Sequence, residues 1–418
     1  PSGSKNPVIT TALRNWLLTL VSRLISPPFT PLESIENGKC GIDEISLFDT
    51  SEHKVKLAAE VKDLDFDKYY NKRDLKFNDR FVKFARIATK QALEDSNLED
   101  FDRDRTGVIL ASGIGGIETI SNCENVLNEK GPSRVSPYFI PMALINIAAG
   151  TVAIDLDARG YCSSVVTACA AATNAIGEGF LKIRDGYLDI VVAGGSEASI
   201  TPLAVAGFAS MRALSESTDK NRASIPFDKE RNGFVMGEGS AVLILEELEH
   251  ALKRNAKIYA EVVGYGNSCD ANHITAPLSD GSGAGKAMLN AINDAGLEPK
   301  DIEYINAHGT STPLNDKSET LAIKYAFGEK YKDVLVSSTK SATGHLLGAS
   351  GAVEALITTL ALKNSYIPAT LNTNEIDEEC DLNIVKNKGL EKNIKYAMSN
   401  SLGFGGHNAS LILKKWEE

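Results

Sequence analysis

The stretch TACAAATNAIGEGFLKIRDG (Thr167–Gly186) opens on small residues and runs into an amphipathic segment, with Ile176, Phe180, Leu181 and Ile183 at helical spacing. A second stretch, SATGHLLGASGAVEALITTLALKN (Ser341–Asn364), follows the same plan and sets His345 where the first has Cys169. Outward from this pair the likeness continues. QALEDSNLEDFDRDRTGVILASGIGG (Gln91–Gly116) and NAINDAGLEPKDIEYINAHGTST (Asn290–Thr312) both read as helix end, acidic loop, apolar strand and small-residue turn, with Leu98 and Leu297 in step. LDIVVAGGSEAS (Leu188–Ser199) parallels KYAMSNSLGFGGHNASLIL (Lys395–Leu413). Strands of continuous apolar character alternating with helices predict sheets covered by helices on both faces. The chain therefore reads as two copies of one α/β unit, whose strand-end loops would build a site at the junction.

The 418 residues, 43% of them hydrophobic and 24% charged, suffice for a packed core in one large or two medium domains. A net charge of −11 argues against a nucleic-acid partner, which requires a basic face. No apolar run reaches the length of a membrane span, and the short apolar stretch NWLLTLVSRLI (15–25) carries Arg23. The six cysteines are scattered without a C-x-x-C pair, so neither a disulfide framework nor a zinc site is expected, and a reducing compartment is. No signal peptide is read at the start.

The reactive residues fall at equivalent ends of the two units. Cys169 stands at the start of a helix, where free N–H groups favour an anion and lower a thiol pKa. It reads as a nucleophile or as a buried structural thiol, and the small residues around it favour the first. His308 ends a strand in INAHGTST, beside Gly309, Thr310 and Thr312; it reads as catalytic or as a satisfied surface histidine. His345 follows Gly344, and Lys340 lies five residues before it in a segment without other charge. Glu354, on the apolar helix that follows, could pair with Lys340. SLGFGGHNAS (Ser401–Ser410) is a glycine-rich turn around Phe404, fitting no dinucleotide or phosphate-loop pattern; it reads as a movable aromatic gate or as a tight hairpin turn.

Together, VVTACAAATNAIGEG, NAHGTSTPLNDKSE, STKSATGHLLGASGAVEA and NSLGFGGHNAS resemble the β-ketoacyl-acyl carrier protein synthases, the condensing enzymes of fatty-acid elongation. The resemblance runs in order from about Asn37 to Leu413, and Lys317 and Leu346 favour the type II synthases over type I. It implies a thiolase-like α/β fold: two pseudo-equivalent βαβαβαββ halves in a five-layered αβαβα core, divided as 1–255 (cysteine half) and 256–418 (histidine, lysine and phenylalanine half). It also implies decarboxylative condensation of malonyl-carrier protein with an acyl chain on Cys169. In that scheme His308 and His345 are the paired histidines, Lys340 and Glu354 a supporting pair, and Phe404 a gate whose backbone, with that of Cys169, receives the oxyanion. Thr310 and Thr312 would flank the malonyl group, with Gly403 and Gly405 beside them, and Ile114, Phe208 and Met211 would line the acyl pocket. No cofactor or metal is implied, the phosphopantetheine arm arriving on the acyl carrier protein. The resemblance further implies a homodimer, in a bacterial cytoplasm or in a plastid-type stroma after loss of a targeting segment. Lys72, Arg73 and Lys76, in the helix-like stretch NKRDLKFNDRFVK (Asn71–Lys83) with Arg80 and Lys83, are where carrier docking is implied.

Two departures stand out. The first 35 residues are atypical, with PVITTAL in place of the family's first strand, and His407 replaces a common threonine. Rival readings fit less well. A thiolase would carry a second catalytic cysteine, and Cys380 lies in an acidic loop. A type III synthase would use one histidine and an asparagine. A cysteine-dependent thioester hydrolase leaves Lys340 and the second histidine unexplained, and a non-catalytic partner subunit would lack Cys169. A polyketide-type ketosynthase is the nearest alternative.

Overall fold

In the computed structural model, residues 7–10, 34, 36–62 and 64–417 are described. The stretch 15–25 and most of the atypical first 35 residues lie outside them. Ten strands form one sheet: β1 (Val8–Thr10), β2 (Thr106–Ala111), β3 (Cys162–Ser163), β4 (Ile190–Glu197), β5 (Gly239–Glu247), β6 (Ala260–Cys269), β7 (Tyr304–Asn306), β8 (Leu335–Ser337), β9 (Tyr396–Gly403) and β10 (His407–Lys415). Their spatial order is β8-β7-β9-β10-β6-β1-β5-β4-β2-β3. The order is a palindrome: strands one to five and six to ten follow the same path, meeting where β1 pairs antiparallel with β6. In each set the fifth strand runs against its neighbours. PVITTAL thus does supply a strand, its three residues fully buried between β5 and β6.

Alternate side chains of each strand feed different cores, which is why the strands read as unbroken apolar runs. Val191, Leu243 and Leu411 face a central core built on α3 (Ala171–Arg184) and α6 (Ser350–Asn364), which pack together and touch strands of both sets. Val192, Val242 and Ile244 face α1 (Arg80–Ser96) and α2 (Ile147–Leu156). Ile305, Met398 and Ile412 face α4 (Ser282–Ala295) and α5 (Pro313–Phe327). The two halves of the one sheet enclose α3 and α6, so the layers run helix, half-sheet, helix, half-sheet, helix. Among the described residues no helix is long and apolar enough to cross a membrane, and all six cysteines are free thiols.

The correspondence of the halves corrects one reading. A single 3₁₀ turn precedes each central helix, Ala168–Ala170 before α3 and Leu347–Ala349 before α6, and Ala168 and Leu347 share a left-handed φ of 49°. The counterpart of Cys169 is therefore Gly348, three residues beyond His345. A side chain at 348 is excluded, because its Cβ would lie 2.1 Å from the Gly113 nitrogen.

Candidate active site

Three strand ends converge at the junction of the halves. Cys169 sits in the turn before α3, held in a backbone conformation that non-glycine residues rarely adopt at Ala168. His308 follows β7, where the chain turns through Gly309 and Ser311, both at positive φ, into α5, capped by Thr312 and begun by Pro313. His345 lies between β8 and α6. Cys169, His308 and His345 are 8%, 2% and 3% exposed, so water is nearly excluded from the reacting groups.

The Cys169 Sγ lies 3.1 Å from His345 Nε2, and His345 Nδ1 lies 2.9 Å from Ser350 Oγ. Ser350 can donate or accept, so His345 can carry its proton on either nitrogen. Lys340, 1% exposed, donates to His308 O at 2.7 Å and to His308 Nδ1 at 3.3 Å, and pairs with Glu354 Oε1. An ammonium on Nδ1 leaves the His308 proton on Nε2. The two imidazoles meet edge to face with centroids 5.2 Å apart, and Phe234 packs edge-on against His345 at 5.1 Å.

Burial pushes the Cys169 thiol up to about 12, against the Lys340 ammonium and the Phe404 backbone N–H that oppose it. This reverses the lowering expected from a helix start: desolvation outweighs the helix, and the resting sulfur is a thiol. Burial, then Lys340, holds both histidines well below their usual 6.5. Burial raises Glu354 and Glu319 to about 7, Lys340 opposing the rise in both. The signs differ. The unfolded chain protonates its histidines near 6.5 while the folded one does not, so their contribution to stability is present above 6.5 and lost as pH falls below it. The two raised carboxylates contribute below about 4.5, and that contribution is lost as pH rises through about 7. A His308→Asn variant removes one histidine term alone. Urea melts between pH 6.5 and 5 should therefore show the parent losing stability relative to the variant, with a slope that rises toward about 1.4 kcal/mol per pH unit as the pH falls below 6.

These groups open into one cavity of about 390 Å³. It is lined by Cys169, His308, His345, Thr310, Thr312, Gly403, Phe404, Phe208 and Met211, with Asn232, Asp270, Asn315 and Asn408 among its polar groups. Thr310 and Thr312 hydroxyls are 2.9 Å apart. Phe404, half-buried, stands in the turn joining β9 to β10. That turn is tied down by Gly405 N to Ile274 O at 2.8 Å, and by Asp270 N to Gly406 O at 2.9 Å. Gly403 faces the nucleophile turn: a Cβ there would lie 2.6 Å from Thr167 O and 3.2 Å from Cys169 N. Gly403→Ala should lower condensation by about 10²-fold or more with the fold retained, as assayed against circular dichroism, since it displaces the nucleophile's own backbone.

Not every expected residue joins this cavity. Gly405 is exposed and off its wall, where Gly406 stands instead. Ile114 lines a separate recess with Leu144, Ile145, Ser164 and Val166. The stretch Asn71–Lys83 is broken into one turn (Lys72–Leu75) and the start of α1, with an intervening bend. Lys72, Arg73 and Lys76 are exposed, and Lys72 lies 3.3 Å from Asp67. Arg80 turns inward, donating to Glu238 at 2.6 and 2.9 Å and to Val61 O at 3.0 Å, so it is unavailable to a partner.

Three buried carboxylates were not anticipated. Glu319 accepts from His308 N at 2.8 Å and Gly309 N at 2.7 Å, fixing the histidine's backbone. Asp316 accepts from Phe227 N at 2.8 Å and faces Arg231 at 3.6 Å. Glu197 accepts from Gly113 N and Gly348 N at 2.6 and 3.0 Å, linking the loop after β2 to the turn before α6. Glu319 shares PLNDKSE with Lys317, which pairs outward with Glu379, and a single α5 turn of acids and a lysine gives no sign of which side is buried.

Comparison with known proteins agrees with this geometry. The family model described as beta-ketoacyl synthase, N-terminal domain, matches residues 30–251, and the one described as beta-ketoacyl synthase, C-terminal domain, matches residues 259–374. The chain belongs to the β-ketoacyl synthase family. It is 49% identical over 390 residues, 93% of this chain and 94% of the relative, to 3-oxoacyl-[acyl-carrier-protein] synthase 2 of Staphylococcus aureus strain N315. Among solved structures, a beta-ketoacyl synthase from Burkholderia phymatum STM815 superposes with a TM-score of 0.90 at 31% identity, over 99% of this chain and 100% of that one. A ketosynthase solved with its type II polyketide acyl-carrier protein, bound to the hexaketide, superposes with a TM-score of 0.88 at 31% identity, over 99% and 100% of the chains. The thiolase-like fold and the condensing, acyltransferase class of the enzyme follow.

Proposed function

We propose that the enzyme is a type II β-ketoacyl-acyl carrier protein synthase that lengthens fatty acyl chains by two carbons. The observation that carries the reading is the 3.1 Å approach of the Cys169 thiol to His345 Nε2, with His308 held in its Nε2–H form by Lys340 in the same cavity. As the acyl thioester arrives, Cys169 Sγ attacks its carbonyl carbon, His345 takes the thiol proton, and the carbon–sulfur bond to the carrier arm breaks. The proton passes to the departing carrier thiol. The backbone N–H groups of Cys169 and Phe404 receive the oxyanion, a contribution of about 3 kcal/mol for one such donor in other enzymes. Malonyl-carrier protein then enters between Thr310, Thr312 and the histidines. Carbon dioxide leaves, the Nε2–H groups of His308 and His345 stabilise the enolate oxygen, and the carbanion displaces Cys169 from the acyl group as a thiolate, which takes a proton from solvent to return to the resting thiol. Phe404 would guard the cavity, and Glu354 keep Lys340 in place.

The chain divides at 255/256 in this reading, between β5 and β6. The phosphopantetheine arm comes on the carrier protein, and Lys72, Arg73 and Lys76 give the acidic enzyme a local basic face for it. Reversing all three to glutamate should raise KM for acyl-carrier protein by about tenfold or more, with KM for a small acyl thioester unchanged; an equal effect on both would remove the docking role. The free edge β3 and exposed Ile140, Leu144, Ile154 and Val166 support a homodimer, with the Ile114 recess completing the acyl pocket at the partner. Six free thiols fit a reducing compartment, a bacterial cytoplasm or plastid stroma.

Intact-mass analysis with acyl-carrier protein tests the reading. One acyl adduct, absent from Cys169→Ser and chased by malonyl-carrier protein as a single β-ketoacyl product, is expected. Loss of the adduct to water alone would make the protein a hydrolase. Retention of a product extended several times would favour the polyketide reading, to which the hexaketide-bound neighbour at 31% identity points.

A further inference from the structure

We infer that Cys169, His308 and His345 also form an inhibitory binding site for a thiophilic divalent cation, zinc above all. The inference rests on the geometry of the resting protein and stands whether or not the condensing reaction is as proposed. The sulfur and one nitrogen of each ring lie within 4.8 Å of one another, and all three side chains are buried. Tetrahedral zinc, with sulfur at about 2.3 Å and imidazole nitrogen at about 2.0–2.1 Å, sets its ligands about 3.3–3.6 Å apart. Cys169 and His345, now 3.1 Å apart, need to separate by only about half an ångström to reach that spacing.

The donors come from three separate backbone segments that already converge, so a pair near the 4.8 Å limit has to close by only about 1–1.5 Å of side-chain movement to reach the zinc spacing. All three donors line the cavity, which leaves a fourth position on that side for an exchangeable ligand, the arrangement of zinc sites that keep one. The outer contacts suit it in part. Ser350 Oγ can accept from His345 Nδ1, as metal-bound histidines require. Lys340 opposes the cation, and its contact to His308 Nδ1 must be released. It keeps His308 O and Glu354 as acceptors when it does so. Binding forms a zinc–sulfur bond, sends the thiol proton to solvent and changes no oxidation state. One sulfur and two imidazoles give nothing to magnesium or calcium, which take oxygen ligands.

Cobalt(II) serves as a visible probe of the site. Adding it to the intact protein should produce tetrahedral d–d bands and a near-ultraviolet sulfur-to-cobalt transition, both erased by zinc. The near-ultraviolet transition should vanish in Cys169→Ala, and zinc should bind His308→Ala at least ~10-fold more weakly. A second measurement needs no variant: zinc, but not magnesium, should slow iodoacetamide alkylation of Cys169 as followed by peptide mass mapping, and a chelator should restore it. A sulfur–cobalt transition that survives in Cys169→Ala, or alkylation of Cys169 that proceeds unchanged under micromolar zinc, would overturn the site. Neither readout depends on acyl transfer, so failure here leaves the condensing reading intact, and the converse holds too.

Discussion

Cys169→Ala will lower condensation by about 10⁴-fold or more, yet leave decarboxylation of malonyl-carrier protein within about tenfold of the parent. The split follows from the division of labour in the cavity. Cys169 supplies the one thiol among the described residues of the cavity wall, and the threonine hydroxyls there have no base at 3.1 Å as the sulfur has, so loss of Sγ removes the electrophile of the second step. The enolate-stabilising donors are built independently. His308 takes its backbone position from Glu319 and its tautomer from Lys340, and His345 is placed by Ser350 and by a backbone bond to Val235 O at 2.7 Å. None of these contacts passes through Cys169. Carbon dioxide release and β-ketoacyl formation, measured side by side, check the expectation. A variant that loses both equally would mean that the histidines depend on the thiol for their arrangement, and the two half-reactions would have to be merged.

Lys340→Met is expected to do the opposite, abolishing decarboxylation and condensation together while destabilising the fold. Removing one member of a buried ion pair costs about 3–5 kcal/mol, because the remaining charge has no partner. Glu354, already raised to about 7, would take up a proton and so limit the loss to the lower part of that range. The double variant Lys340→Met, Glu354→Leu removes both charges and should recover most of the stability. It should not recover activity, because His308 would no longer be held with its proton on Nε2. Urea melts of the parent, single and double variants, with decarboxylation rates on each, separate the two roles. Recovery of decarboxylation in the double variant would show that Lys340 serves packing alone.

The duplication was legible because small-residue turns leading into helices recur with their strands, and the convergence of Cys169, His308, His345 and Lys340 could be expected from strand-end positions in the two copies. The register of the copies was not. His345 and Cys169 look equivalent by spacing, and only the shared left-handed turn shows that Gly348 holds the matching place. Glu319, Asp316 and Glu197 were missed for one physical reason. A carboxylate in a short polar run looks solvated until tertiary packing covers it, and the backbone N–H groups that then satisfy it leave no trace in sequence. Arg80 errs in the same way, a cation in a basic stretch that folding turns toward Glu238. Ile114 was placed by resemblance, and the cavity that receives the reacting groups ends before reaching it.

The short strand β1 has a consequence for how the protein is made. Val8–Thr10 pairs with Leu245–Glu247 on one side and with Ala260–Val262 on the other. This segment leaves the ribosome well before either partner and waits for strands made more than two hundred residues later. At about 5–20 residues per second that interval is roughly 10–50 s. During it, strands β2 to β4 can assemble around α3 with one edge unfinished, and the apolar residues Val8 and Ile9 stay unclaimed. Chaperone engagement of the nascent chain should therefore persist until β6 has emerged and fall away there. The clasp that joins the two halves of the sheet is synthesised long before both of its partners and is among the last parts to be seated.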